Sequence, residues 1–503
     1  MAAPDPSNQS LVDDGFASFS VTNRLDSLIS DRFCLHGFMQ SEDDKRASII
    51  SVALTNRGPR RWDTQIRQRY VPSVQGVPVA VSQWVVVTKE DRTPADPLIR
   101  MYNDQGLVVQ VETHSWALAG KRLMFATRHR GRYAVGVVDG QGLKRVQPVG
   151  GYVRQLLADD DSVLAVIYSD GREAVHRISL SHNEKAKHSR TFSLKTVDKR
   201  PGKKDLFLTA DGPGILRRDT ASGLSLTLLN HGSFGRVQPR DFSLGLWKKM
   251  DIQVRRLHSA DGAQALVMSN CSHPKATLLH LHGGPDSYEV EELRFFGVLR
   301  PLLARGWQAV CLNYRGSAGL AQGAWQAAWG HWHETFPEDL RWLRKEGVLN
   351  GTCAAAGWSF GGTLAFLAGT LISEIKYVVM GGAMTSLRRH RERAAAQDRS
   401  YEPWFSQRFG PAKFNEARTF FELKDVLLAK AGGRDARKFD VLSFHGRDDQ
   451  HCSYDDLQAL RAAAVAQGYS WTHIDLPGGK HYATSVDDAR CIYQKTLHFL
   501  EHV

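Results

Sequence analysis

The 503-residue sequence predicts two folds in succession: an all-β domain over residues 15–248, preceded by a tail of residues 1–14, and a mostly parallel, doubly wound α/β domain over residues 249–503. Three observations predict this. The chain is too long for one ordinary core, which sets two or three domains. In its first half short β-type runs alternate with turn signals. In its second half apolar β runs alternate with helical patterns, the grammar of a sheet covered by helices.

The β half is read from segments such as SQWVVVTKED (82–91), KRLMFATRHRGRYAVGVVDGQG (121–142), SVLAVIYSDGREAVHRISL (162–180) and GPGILRRDTASGLSLTLL (212–229). β-branched and aromatic residues gather in short runs bounded by Asp-Gly, Gly-Gln-Gly or Ser-Gly, which is hairpin chemistry. The segments recur about every 40 residues, the period of a β-propeller blade, and roughly four to six can be counted. An irregular β-sandwich, or two small β domains, is the competing architecture.

In the second half the expected strands are ATLLHLH (276–282), WQAVCLN (307–313), YVVMGG (377–382), DVLSFH (440–445) and WTHIDLP (471–477). The expected helices are VEELRFFGVLRPLLARG (290–306), PEDLRWLRKEG (337–347), DDLQALRAAAVAQG (455–468) and VDDARCIYQKTLHFLEH (486–502). Continuously apolar strands imply a sheet buried on both faces. Ligands of such sheets bind beyond the carboxyl ends of the strands.

One junction carries a chemical signature. TCAAA (352–356) reads as a short strand, GWSFGG (357–362) as a turn and TLAFLAGTL (363–371) as a helix. A G-x-S-x-G match alone is common, but between a strand and a helix it is the nucleophile elbow, where glycines let the chain turn sharply and lift the serine into the open. Ser359 is the candidate nucleophile. A serine hydroxyl needs a base oriented by a third group, here expected in the order acid then histidine. FHGRDDQ offers Asp448 and Asp449, and LPGGKHY offers His481, each just beyond a strand end. Spacing leaves the two aspartates open. The plain alternative for His481 is a surface histidine in a glycine-rich loop, but its place between the last strand and the last helix favours the base. Two N–H donors must face the oxyanion. The backbone of Phe360 supplies one, and the loop LHGGPDS (281–287) supplies the other.

Composition bounds the rest. With 42% hydrophobic and 23% charged residues the chain is that of a soluble globular protein. Its opening residues lack the basic start and apolar run of a secretory signal. Runs such as TLAFLAGTLI (363–372) fall short of the roughly 18 residues of a membrane span. Six scattered cysteines without a C-x-x-C pair suggest neither a zinc knuckle nor a disulfide framework. A cytoplasmic location is expected, without membrane, cofactor or metal. The net charge of +12 and the basic stretches at 182–204 and 388–399 invite a nucleic-acid reading. No recognition module accompanies them, so no nucleic-acid partner is expected. The sequence carries no signal of oligomeric state.

With these residues assembled, the chain resembles the prolyl oligopeptidase family of serine peptidases, in its acylaminoacyl-peptidase and dipeptidyl-peptidase-like branch. The matching stretches are HGGP (282–285), NYRGSAG (313–319) with Trp325 downstream, Asp339 in PEDLRWL, GWSFGG, HGRDD (445–449) and GGKHY (478–482). The resemblance implies a β-propeller before an α/β-hydrolase domain. It selects Asp449 over Asp448 through the H-G-x-x-D pattern, makes Gly284 the second oxyanion donor beside Phe360, and makes Arg315 and Asp339 a structural pair. It also implies a short peptide or acyl-peptide substrate, cleaved through an acyl-enzyme on Ser359, and the shortness of the β half adds an isopeptide-linked peptide natural product as a third substrate class. An esterase, thioesterase or acyltransferase using the same triad is the alternative; a non-catalytic scaffold is disfavoured because every triad position is filled. Three departures stand out. The β half is short for seven blades of about 40–45 residues, so a reduced propeller is expected. The family's Ser-Pro before the acid-bearing strand is replaced around FELKDVLLAK (421–430). The acidic stretch at 42–44, a candidate grip for a substrate amino terminus, has no matching motif.

Overall fold

The computed structural model describes the strands and several turns between residues 16 and 243, and residues 250–501 apart from 293–296, 350, 398–400, 411–418, 432–437, 477–478 and 484. The acidic stretch at 42–44 lies outside the described residues. The amino-terminal strands pair into five four-stranded antiparallel sheets, over 16–72, 77–112, 116–148, 152–198 and 203–243. In each sheet the strand order follows the chain, so each is a run of successive hairpins. Asp170 and Gly171 both take positive φ, 52° and 70°, which is the type I′ turn expected of Asp-Gly between right-twisted strands.

Residues of the strand Ser162–Ser169 alternate between two apolar clusters. Val163, Ala165 and Ile167 pack with Met124, Val135 and Val137 of the sheet before, whereas Leu164 and Val166 pack with Leu206, Ile215 and Leu229 of the sheet after. Val87, Ile99 and Met101 likewise meet Leu123 and Val138. From residue 77 onward successive sheets therefore stack face to face, because a two-residue period feeds apolar side chains to both sides.

The second half forms one eight-stranded sheet from β1 (Gln253–His258), β2 (Gln264–Ser269), β3 (Ala276–Leu281), β4 (Trp307–Asn313), β5 (Thr352–Trp358), β6 (Ile375–Gly381), β7 (Asp440–His445) and β8 (Trp471–Asp475). Their spatial order is β1-β2-β4-β3-β5-β6-β7-β8. From β4 onward in that order all pairs are parallel, while β1 and β2 are antiparallel. That antiparallel hairpin is absent from the sequence reading, although Asp261-Gly262 marks its turn, with Gly262 at φ 92°.

Burial of both faces follows the same alternation. Leu279, Leu281, Val310, Leu312, Val378 and Met380 face one cluster with Trp332 and Phe336; Leu278, Ala309, Cys311, Val379 and Leu442 face the other with Leu299, Leu302, Leu303 and Ile492. Both helical layers are thereby fixed to the sheet, each fully buried aliphatic side chain contributing about 1.5–3 kcal/mol. The first expected helix is shorter than anticipated. It is Leu299–Ala304, and residues 287–292 are irregular. The glutamates there are drawn elsewhere: Glu291 pairs with Arg172 and Arg256, Glu292 pairs with Arg218, and the Glu289 N–H donates to Asn313 Oδ1.

These contacts belong to a seam between the two halves. Tyr168, Tyr288, Val290 and Ala318 pack together there. The Tyr288 hydroxyl donates to Glu173 at 2.8 Å, Asn313 Nδ2 donates to the Tyr168 hydroxyl at 3.0 Å, and the Gly319 N–H donates to the Tyr133 hydroxyl at 3.1 Å.

Candidate active site

Ser359 sits between β5 and the helix Phe360–Leu371, at φ 56° and ψ −125°. The strand runs to Trp358 and the helix begins at Phe360, so the turn is narrower than the six residues anticipated. For a residue with a Cβ this backbone is strained, and its surroundings hold it. The Ser359 N–H donates to the Gly381 carbonyl at 2.8 Å, and its own carbonyl accepts from Gly362 and Thr363. A Cβ on Gly357 would stand 2.3 Å from the Gly361 carbonyl oxygen, and one on Gly361 would stand 2.1 Å from that of Leu281. Backbone meets backbone here, so no side chain can be admitted.

His481 and Asp449 stand at the same sheet edge. His481 Nδ1 and Asp449 Oδ2 are 2.8 Å apart, both residues buried. Asp448, the other candidate, is exposed, and its N–H donates to the Gly479 carbonyl. Asp449 is heavily supported: Oδ1 accepts the N–H groups of His451 and Cys452, each at 2.8 Å, and Oδ2 lies 3.1 Å from His445 Nε2. Burial by itself would raise its pKa, but the hydrogen bonds from His445 and His481 outweigh it and hold the carboxyl well below the usual carboxylate range.

Trp358 ties this pair to the elbow. Its indole N–H donates to the His481 carbonyl at 2.7 Å, and Gly382, at φ 48°, leaves room for the imidazole, since a Cβ would lie 3.2 Å from His481 Nδ1. The His451 ring lies 4.9 Å from that of His481; burial, and then the charge His481 can carry, push its pKa down. Sequence reasoning missed His445, His451, Cys452 and Trp358 as members of this group. For His445 the i,i+4 spacing to Asp449 was the available signal.

Across the elbow lies the HGGP loop. Gly283 faces Ser359, where a Cβ would come within 3.4 Å of the serine Cβ. Gly284 follows at φ 123° and is exposed. Phe360 is the first residue of its helix, a position whose N–H has no intrahelical acceptor. The loop is pinned from behind: the Tyr314 hydroxyl donates to the His282 carbonyl at 3.0 Å, and His282 Nε2 meets Ser317 Oγ at 2.8 Å. Arg315 and Asp339 are paired as expected, with Nε 2.7 Å and the backbone N–H 2.8 Å from the carboxylate.

Beyond the loop, Asp286 accepts from Arg408 at 3.0 Å and from the Trp325 indole at 3.2 Å. Arg128, from the amino-terminal half, lies over the Trp325 ring at 3.9 Å. Of the basic stretch at 388–399, residues 388–397 fall on the helix Leu387–Gln397, where Arg389 pairs with Asp456 and Arg391 with Glu402. Two groups bring three potential metal ligands together among the described residues: Asp449, Cys452 and His481, and His280, Glu289 and Cys311. No helix among the described residues is long and apolar enough to cross a membrane.

The profile of the prolyl oligopeptidase family matches residues 294–503. That segment, under half of the chain, is what is similar to the prolyl oligopeptidase family. The family's members are serine peptidases, and in this chain the matched segment holds Ser359, Asp449 and His481. Solved structures extend the likeness of fold over both halves. Acylaminoacyl peptidase from Pyrococcus horikoshii, 14% identical, covers 97% of this chain and 81% of its own, with a TM-score of 0.65. An acylaminoacyl peptidase in complex with Z-Gly-Gly-Phe-chloromethyl ketone, 15% identical, covers 97% and 81%, with a TM-score of 0.64. A puromycin hydrolase, 14% identical, covers 93% and 78%, with a TM-score of 0.65. No curated protein sequence matches the chain significantly.

Proposed function

We propose that the chain is a serine peptidase acting on short peptides, acyl-peptides or peptide natural products. The observation that carries this is the convergence of a strained Ser359 elbow with the buried His481–Asp449 pair at one sheet edge. Ser359 Oγ attacks the amide carbonyl as His481 takes its proton, and His481 returns that proton to the leaving amine. Asp449 holds the imidazole in the tautomer with Nδ1 protonated and stabilises the imidazolium. The N–H groups of Phe360 and Gly284 receive the oxyanion. Water then releases the acyl group by the reverse sequence.

The five sheets form a reduced β-propeller over residues 15–248 that caps the hydrolase domain of residues 249–503. Substrates are thereby limited to peptides and flexible tails, the class to which the peptide-like inhibitor of the acylaminoacyl peptidase complex belongs. The test is a panel of aminoacyl and peptidyl amides, acyl-peptides and p-nitrophenyl esters. Amide cleavage that disappears in Ser359→Ala is the expected result; turnover of esters alone moves the protein to the esterase or acyltransferase reading.

A further inference from the structure

We propose that Asp449, Cys452 and His481 form a zinc-binding site through which Zn2+ reversibly blocks the active site. A carboxylate oxygen, the thiol sulfur and a ring nitrogen of these three buried residues lie within 4.8 Å of one another. Thiolate, imidazole and carboxylate are the protein donors that zinc takes, in tetrahedral geometry. With Zn–S near 2.3 Å and Zn–N near 2.0 Å, tetrahedral donors stand about 3.6 Å apart. Binding through Nδ1 therefore requires the 2.8 Å contact between His481 Nδ1 and Asp449 Oδ2 to open as the sulfur closes on the ion.

The surroundings supply an entrance and a fourth position. The Ser359 side chain stands beside the Cys452 thiol, and Ser359 is partly exposed where its three companions are buried. Ser359 Oγ or a water then completes the tetrahedron, with the ion arriving by the route a substrate carbonyl takes. The sulfur is otherwise unused. It is the backbone of Cys452 that serves the acid, its N–H donating to Asp449 Oδ1 at 2.8 Å and its carbonyl standing 3.1 Å from His445 Nε2.

Binding forms Zn–S, Zn–N and Zn–O bonds, releases the thiol proton to solvent, and oxidises nothing. Its consequence rests on the reading of His481 as the base, because a metallated imidazole cannot take a proton from Ser359. Binding itself does not rest on that reading.

The experiment uses the full chain with ZnCl2, and each variant is referenced to its own metal-free rate. Zinc affinity is measured by calorimetry, and Ser359 reactivity by its labelling rate with a fluorophosphonate, for wild type, Cys452→Ala and the bulkier Cys452→Val. Zinc is expected to suppress wild-type labelling, a chelator to restore it, and both cysteine variants to bind zinc at least about tenfold more weakly, the loss already seen when only a group behind a metal ligand is removed. Equal zinc affinity in wild type and both variants overturns the site. Zinc binding that leaves wild-type labelling unchanged overturns the blockade. A wild type that binds zinc through Cys452 but never labels, with or without metal, supports the metal site and rejects the catalytic reading, so the two fail separately.

Discussion

The elbow around Ser359 and the seam between the halves are both tightly packed, but by different physics. At the elbow, backbone packs on backbone: Gly357, Gly361, Leu281 and His282 leave no room even for a methyl group. At the seam, side chains reach across: Arg218 to Glu292, Arg172 to Glu291, Tyr288 to Glu173, Arg128 to Trp325. Steric exclusion is insensitive to solvent, whereas partly exposed charges are screened by it. The elbow is therefore rigid, whereas the seam is a joint that salt can loosen.

Substitutions separate the two. The largest effect is expected for Ser359→Ala, with kcat falling by a factor on the order of 10⁶ and fluorophosphonate labelling lost. Asp449→Asn is expected to lower kcat by about 10⁴ with little change in KM, since the amide reverses the tautomer of His481. The same variant tests a pH dependence. The folded-state pKa of Asp449 is depressed, so the group stabilises the fold above the ordinary aspartate range near 4 and loses that contribution as pH falls below it. Acid unfolding curves of wild type should therefore fall more steeply below about pH 4 than those of Asp449→Asn.

Gly361→Ala is expected to destabilise by about 3 kcal/mol in denaturant titrations, the upper end for an overpacked site, because the Leu281 carbonyl it meets belongs to a central strand. At the seam the effects shrink. Arg218 is 40% exposed, so Glu292→Gln should cost no more than about 1 kcal/mol. Its signature is a kcat/KM altered by less than about fivefold, with wild type approaching the variant in about 1 M salt, where the Debye length is near 3 Å. A Glu292→Gln effect that persists unchanged in high salt would make the seam steric and remove the contrast.

Much of this was legible in the chain. The strands at 307–313 and 440–445 fall where alternation and turn residues set them, because apolar periodicity is local information. The contact of His481 with an aspartate followed from the need of a serine for an oriented base. The choice between Asp448 and Asp449 came from a family pattern, since residues adjacent in sequence look alike until the turn after β7 directs one inward and the other to solvent. The anticipated start of a helix at residue 290 fails for a related reason: VEE has helical composition, but arginines remote in sequence claim the carboxylates of Glu291 and Glu292.

The sequence by itself determined the two architectures, the glycine-lined turn that lifts Ser359, and the order of serine, acid and histidine along the chain, because each depends on neighbours within a few residues. Tertiary structure alone decided that Trp358 holds the His481 loop, that Asp286 meets Arg408, and that Glu291 and Glu292 face the amino-terminal half. These are contacts between segments far apart in the chain, and no local spacing encodes which of several polar side chains the folded sheet edge will bring together.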